Sequence, residues 1–264
     1  MFDIHLHTTY SFDSDARPRE LIDSAKRAGL GGICFTDHWD VGYDSINEEK
    51  IVPGEYAECD LRDLRSDSGF LVYCGIELSP MDSVLDRVKK EMPGERFDCV
   101  ILAAHYVEKV PQVRYDGFFA NRPKKDAYGR YLSTLISLMK QYGDYDVLGH
   151  YDYISRYSPY PDPLMRYADH EDEFDELFAM LIKSGKALEI NTGKLRRTGR
   201  ELPTDKRVLL RYRSLGGELA CIGSDAHSAG GAGYMFREYR EMLLECGITS
   251  LVHYANREPV FEKI

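Results

Sequence analysis

The chain has 264 residues, 34 Lys+Arg against 44 Asp+Glu, and a formal net charge of −10. With 43% apolar and 30% charged residues it lies near the soluble globular average, which excludes general disorder, and no apolar run approaches the roughly 18 to 20 residues that span a bilayer. The acidic balance argues against a partner that is nucleic acid or an anionic membrane, because a phosphate backbone needs a basic footprint.

Taken in chain order, short apolar or β-branched runs at 2–4, 32–36, 70–76, 99–104, 146–149, 187–190 and 219–223 each predict a strand. Between the first two, Pro18 marks a first helical turn and Gly29 the place where that helix stops. Leu132, Leu135, Ile136 and Met139, then Phe174, Leu177, Phe178, Leu181 and Ile182, give the stripes of helices that cover a sheet. The stretches 40–54, 106–125 and 155–170 are rich in Tyr, Pro, Asp and Gly and read as long loops within one domain spanning 1–264. Strand and helix alternate throughout, which predicts an α/β fold of parallel strands with crossover helices, closed or nearly closed into a barrel.

The six cysteines, Cys34, Cys59, Cys74, Cys99, Cys221 and Cys246, form no CxxC pair and read as reduced thiols of a cytoplasmic protein. The start, Met1-Phe-Asp-Ile-His5, carries no basic n-region and no apolar h-region, so no secretory signal is expected.

Six of the eight histidines, His5, His7, His38, His105, His150 and His227, fall at or just after the ends of the apolar runs, and so do Glu77 and Asp225. In a parallel barrel the carboxyl ends of the strands converge on one face, so these distant residues are expected to share one pocket. His5-x-His7 alternates on its strand, which points both rings to one side. Imidazoles mixed with carboxylates and no thiolate suit Zn, Mn or Fe, and the donors are too many for one ion. Two or three neighbouring divalent ions would use them, holding a bridging hydroxide and clamping a phosphoryl group.

On these residues the chain resembles the PHP (polymerase and histidinol phosphatase) family. The matching motifs are His5-Leu-His7-Thr-Thr-Tyr-Ser-Phe-Asp13-Ser, Thr36-Asp37-His38, Gly75-Ile-Glu77, His105, Gly149-His150 and Gly223-Ser-Asp225-Ala-His227. Gly149-His-Tyr-Asp-Tyr-Ile-Ser-Arg156-Tyr and Leu188-Glu-Ile-Asn191-Thr-Gly-Lys-Leu-Arg196-Arg197 are most similar to its stand-alone histidinol-phosphatase branch. The resemblance implies a distorted (β/α)7 barrel with a trinuclear centre at the carboxyl ends of its strands. It implies that His5, His7, Glu77 and Asp225 hold a first metal, that Glu77 bridges to a second held by His105 and His150, and that His38, His227 and Asp13 hold a third. Many relatives carry a histidine in the loop after HxH, where this chain offers Asp13 and Asp15. Glu189 also follows an apolar run, and no metal role carries over to it.

The chemistry expected is hydrolysis of a phosphomonoester, with L-histidinol phosphate as the leading substrate. Bound cations would attract the phosphate dianion whatever the global charge. Arg156 and Arg196 or Arg197 would grip its oxygens with planar guanidinium groups, and Asp225 or His227 would protonate the departing alkoxide. Tyr106, Tyr115, Phe118, Phe119, Tyr151, Tyr153, Tyr157 and Tyr160 either line the leaving-group pocket by cation–π contact or simply pack the loops. Another phosphate ester, a phosphodiester, or a non-catalytic metal-binding module are the competing functions, and a monomer or homodimer is expected.

Overall fold

The computed structural model describes residues 1–43, 50–66, 70–111, 115–193 and 204–264. Its strands are β1 (Phe2–Leu6), β2 (Gly32–Phe35), β3 (His38–Val41), β4 (Leu71–Cys74), β5 (Ile76–Pro80), β6 (Val100–Leu102) and β7 (Tyr106–Val107). They continue with β8 (Val110–Pro111), β9 (Val147–Leu148), β10 (Ala187–Asn191), β11 (Ala220–Gly223), β12 (Ser250–Ala255) and β13 (Glu258–Lys263). Every apolar run expected to form a strand contains one.

The architecture is α/β with parallel sheets: β1-β2-β4 form one, and β11-β10-β9-β6-β5-β3 the other. The second and third runs serve both sheets. β2 leads through Thr36-Asp37 into β3, and β4 leads through Gly75 into β5. Gly75 N donates to Phe35 O at 2.7 Å, Ile76 N to Cys99 O at 3.0 Å and Glu77 N to Asp37 O at 3.1 Å, so these three backbone N–H groups stay bonded where one sheet hands over to the other. A Cβ at Gly75 would lie 2.5 Å from Cys99 O, so only glycine fits this crossing. At the opposite edge Asp225 N donates to His5 O at 2.8 Å and His7 N to Ala226 O at 2.9 Å, tying the segment after β11 back to β1.

Helices cover the sheets where the stripes predict them. Pro18–Arg27 begins on proline, buries Leu21, Ile22 and Ala25, and ends before Gly29 at φ +73°. Lys124–Gln141 buries Leu132, Leu135, Ile136 and Met139. Glu171–Ser184 opens on Glu171, Asp172 and Glu173, which favour its positive end, and buries Phe174, Leu177, Phe178 and Leu181. Phe2, Ile4, Cys34, Cys99, Ile101, Val147, Ala187 and Cys221 form a separate apolar cluster with Val252 and Tyr254. All six thiols are free.

Strand β3, and the β7–β8 hairpin and short helix Tyr115–Phe119 inside the stretch 106–125 expected as loop, lie beyond the predicted elements, and so do two further features. β1 carries a bulge: Asp3 pairs with Ile33 and Leu6 with Phe35, three steps against two. Strict alternation breaks there, so Ile4 sits in the small cluster and Leu6 in the large one, while His5 and His7 still reach the same pocket. The other feature is the hairpin β12–β13, turned by Asn256 and Arg257 at φ 50° and 67°. Arg257 reaches back to Asp146 at 2.5 Å and Asp144 at 2.9 Å, anchoring the hairpin against the amino-terminal side of β9. Among the described residues no helix is long and apolar enough to cross a membrane.

Candidate metal centre

Glu77, wholly buried on β5, stands at the middle of the predicted histidines. Its Oε1 lies 2.7 Å from His150 Nε2 and 3.3 Å from His105 Nε2. Its Oε2 lies 3.4 Å from His5 Nε2, 3.6 Å from His7 Nε2 and 2.6 Å from His38 Nδ1. One carboxylate therefore faces a different set of imidazoles through each oxygen. Asp225 Oδ1 adds an acceptor 3.1 Å from His7 Nε2 and 3.8 Å from His5 Nε2. Asp225 adopts φ +51°, a strained conformation of the kind that gathers at functional sites.

Farther out, His38 Nε2 and His227 Nε2 approach to 3.3 Å, and Asp13 spans them at 3.5 and 3.2 Å. Asp13 rather than Asp15 faces these rings. His38 also reaches Glu77, so it belongs to two neighbouring clusters and not only to the outer one.

Most rings are fixed through their other nitrogen. His5 Nδ1 lies 2.7 Å from Glu189, His105 Nδ1 3.0 Å from both oxygens of Asp40, His7 Nδ1 3.1 Å from Ser11 Oγ, and His227 Nδ1 2.9 Å from the Asp225 carbonyl. Asp37 holds the loop that carries Ser11, accepting from Thr8 N at 2.6 Å, Ser11 Oγ at 2.6 Å and Tyr56 OH at 2.8 Å.

The donors fit divalent cations by one direct criterion. His5 Nε2, His7 Nε2, His38 Nδ1, His105 Nε2, His150 Nδ1 and Glu77 Oε2 are buried and make no hydrogen bond, even where a neighbouring polar atom is close. Buried polar groups are otherwise nearly always satisfied. Among the described residues four groups bring ligand atoms within 4.8 Å of one another: the mixed sets His5-Glu77-His150, His38-Glu77-His105 and His5-His7-Asp225, and the all-histidine set His7-His38-His227. Burial alone would push the Glu77 carboxyl up, but His5, His38 and His105 hold it well below the usual range. Burial opposes charge on His5 and His105 too, yet Glu189 and Glu77 raise the first, and Asp40 and Glu77 the second, well above an ordinary imidazole. His7, deep and flanked by His38 and His227, is driven low.

Arg156 enters the site on a short helical turn after His150. It is buried, its Nη1 lies 2.6 Å from Asp225 Oδ2, and its Nη2 donates to Asn191 Oδ1 at 2.8 Å. Arg196 and Arg197 lie outside the described residues. The Tyr115 side chain lies outside the described residues; among the other expected aromatics only Tyr153 lies against the histidines, its ring 4.7 Å from that of His105 and 4.8 Å from that of His150. Tyr157 joins it through a 3.0 Å contact between hydroxyls. Tyr106 and Tyr160 pack the loops, bonding Asp82 and the Arg122 carbonyl. His170 and His253 stay out of the centre, as expected; His253 stacks on Phe2 at 3.6 Å.

Sequence reasoning missed Asp40, Ser11, Glu189 and Asn191. A period-two signal was present for three of them. Asp40 follows His38 by two residues on β3, and Glu189 and Asn191 alternate on β10, so each pair shares one side of its strand.

The PHP domain profile matches residues 3–193. This chain belongs to the PHP domain family. The histidinol-phosphatase of Lactococcus lactis is 26% identical over 255 residues, covering 96% of this chain and 94% of that protein. A probable histidinol-phosphatase of Clostridium acetobutylicum is 28% identical over 249 residues, covering 94% of each. Among solved structures, the Lactococcus lactis histidinol phosphate phosphatase complexed with zinc, L-histidinol and phosphate superposes with a TM-score of 0.85 at 25% identity, covering 98% of both chains. A putative histidinol phosphatase of Listeria monocytogenes shares the fold at TM-score 0.72 and 16% identity, over 90% of this chain and 100% of that one.

Proposed function

We propose that this protein is a metal-dependent phosphomonoester hydrolase acting on L-histidinol phosphate to release L-histidinol and phosphate. The carrying observation is Glu77, whose two oxygens each face separate buried imidazoles, with His5 Nε2 on one side and His105 Nε2 on the other left without a hydrogen bond. The likeness to the Lactococcus lactis enzyme and its zinc, histidinol and phosphate complex supports the substrate.

His5, His7, Glu77 and Asp225 would hold one divalent ion, Glu77, His105 and His150 a second, and His38, His227 and Asp13 a third, with Zn, Mn or Fe as the candidates. Such ions, when bound, supply charge neutralisation at the phosphoryl oxygens and activate water for attack at neutral pH. Arg156 offers its guanidinium to the same oxygens in a fixed fork, and Arg196 or Arg197 would add another. Arg156 also holds the Asp225 carboxyl well below the usual range despite its burial, so it stays ionised as a metal ligand should; to protonate the leaving alkoxide, Asp225 would first have to take up the proton that the attacking water gives up, at Oδ1. His227, 3.5 Å from that oxygen through Nδ1, is the second candidate for that transfer. Tyr153 walls off His105 and His150 from water and presents an aromatic face near the arginine.

The bonds from Asp225 and Ala226 back to β1 support a distorted (β/α)7 barrel closed within a single domain of residues 1–264. Six free thiols and an acidic surface support a cytoplasmic enzyme with a small phosphorylated substrate and no nucleic-acid or membrane partner, monomeric or homodimeric.

Phosphate release from L-histidinol phosphate and a panel of other phosphomonoesters and phosphodiesters, measured with added Zn, Mn or Fe and after chelation, tests the proposal. The expected result is metal-dependent release with histidinol phosphate the best substrate. A clear preference for another ester would overturn the substrate, and release that survives chelation would overturn the metal dependence.

A further inference from the structure

Glu189 is wholly buried on β10 and touches three groups. Its Oε1 accepts from His5 Nδ1 at 2.7 Å and from Asn191 Nδ2 at 3.2 Å, and its Oε2 accepts from His150 N at 2.6 Å. A Cβ at Gly223 would lie 2.4 Å from Oε1, so the glycine of Gly223-Ser-Asp225 leaves the room this carboxylate occupies. A Cβ at Gly149 would only touch Oε2, at 3.6 Å.

We propose that Glu189 is a positioning residue that sets the His5 tautomer and the His150 backbone for metal binding. This rests on the metal-dependent reading of the site above. The argument is one of donors and acceptors. An ionised carboxylate only accepts, and a backbone N–H and a side-chain amide N–H only donate, so the partners on His150 and Asn191 have no alternative. His5 alone has a choice, and opposite Glu189 it must carry its proton on Nδ1. The lone pair is then on Nε2, the atom that faces Glu77 at 3.4 Å and Asp225 at 3.8 Å and has no hydrogen bond of its own. The same carboxylate fixes where His150 leaves β9, so one side chain on β10 aligns ligands from two other strands. Through Asn191, which also accepts from Arg156, it stands behind the phosphate-binding arginine as well. The proposed role departs from the expectation that no metal role carries over to Glu189.

Glu189→Gln exposes the role because an amide cannot replace both acceptors. With its oxygen toward His5, its NH2 meets the His150 N–H, donor against donor. With its oxygen toward His150, its NH2 turns the proton of His5 onto Nε2 and blocks that lone pair. The experiment uses zinc alone and no substrate. Chelator competition measures zinc affinity, ring ¹⁵N correlation spectra of histidine-labelled, zinc-loaded protein report the His5 tautomer, and circular dichroism reports the fold. Expected are an unchanged dichroism spectrum, zinc binding weaker by about 10- to 100-fold, and loss of the single Nδ1–H form of His5. Wild-type affinity with an unchanged His5 tautomer overturns the proposal. If Glu189→Gln does not fold, the zinc-loaded wild-type spectrum decides: His5 protonated on Nδ1 supports the role, and on Nε2 overturns it. Failure to hydrolyse histidinol phosphate would overturn the proposed substrate and leave these zinc readouts intact.

Discussion

Arg156 Nη1 lies 2.6 Å from Asp225 Oδ2, with the two side chains only 3% and 4% exposed. The arginine neutralises a buried carboxylate and, in the function proposed above, would also present a guanidinium to substrate, and substitutions separate the two roles. Arg156→Lys keeps a cation for Asp225 but loses the fork that reaches Asn191. We expect it to fold, keep its metals and lose about 10- to 100-fold in kcat/KM. Arg156→Ala leaves the Asp225 charge uncompensated and should cost about 3–5 kcal/mol of stability. Denaturant titration beside steady-state kinetics checks both; a lysine variant with wild-type kinetics removes Arg156 from substrate binding.

Glu77→Gln keeps the shape of the side chain that five histidines surround but halves its capacity to receive cations. It should retain the wild-type dichroism spectrum, lose at least one metal per chain by elemental analysis, and lose most phosphatase activity. Full metal content would place the bridge elsewhere.

Protons compete with metals for the same rings. Burial opposes a charge on His38, but Glu77 and Asp13 raise its pKa to about 9 in the metal-free protein, above the 6.5 of an ordinary imidazole. At pH 7.5 the ring is therefore protonated before metal arrives and must release that proton. The sign follows: metal affinity rises with pH up to about 9 and then levels. Calorimetric titration of zinc in two buffers of different ionisation enthalpy should show net proton release near pH 7.5, and its absence would contradict the raised pKa.

What the sequence revealed divides along physical lines. The strands were legible because buried parallel strands are continuous apolar runs, and the ligands because they sit at the ends of those runs. Asp40 and Glu189 were not, because their period-two spacing from His38 and Asn191 puts each pair on one side of a strand but does not say which histidine across the sheet the acid meets. The β1 bulge was hidden for a similar reason: it begins at Asp3, whose Oδ1 accepts from Ser224 N at 2.8 Å, a partner more than two hundred positions away. The β12–β13 hairpin escaped notice because Asn256-Arg257 lacks the Asn-Gly signal that usually marks a two-residue turn.

Gly75 provides the last test, since it couples the backbone crossing directly to the centre. The chain leaves β4 and enters β5 at this residue, two positions before Glu77, with a hypothetical Cβ 2.5 Å from Cys99 O, 3.0 Å from Thr36 Cγ2 and 3.1 Å from Cys34 Sγ. The nearest of these is backbone in the adjoining strand and cannot swing aside. Gly75→Ala should therefore push β5 away from β6, destabilise the protein by about 1–3 kcal/mol and lower metal content by displacing Glu77. Gly54, in the short helix Pro53–Tyr56, is the comparison, because a Cβ there meets nothing within 4 Å. Gly54→Ala should leave metal content unchanged and raise stability by about 0.5–1 kcal/mol, since alanine loses less backbone freedom on folding. Thermal denaturation and elemental analysis of the two variants side by side make the comparison. A Gly75→Ala protein as stable and as metal-replete as the wild type would show that the crossing has more room than its 2.5 Å approach allows.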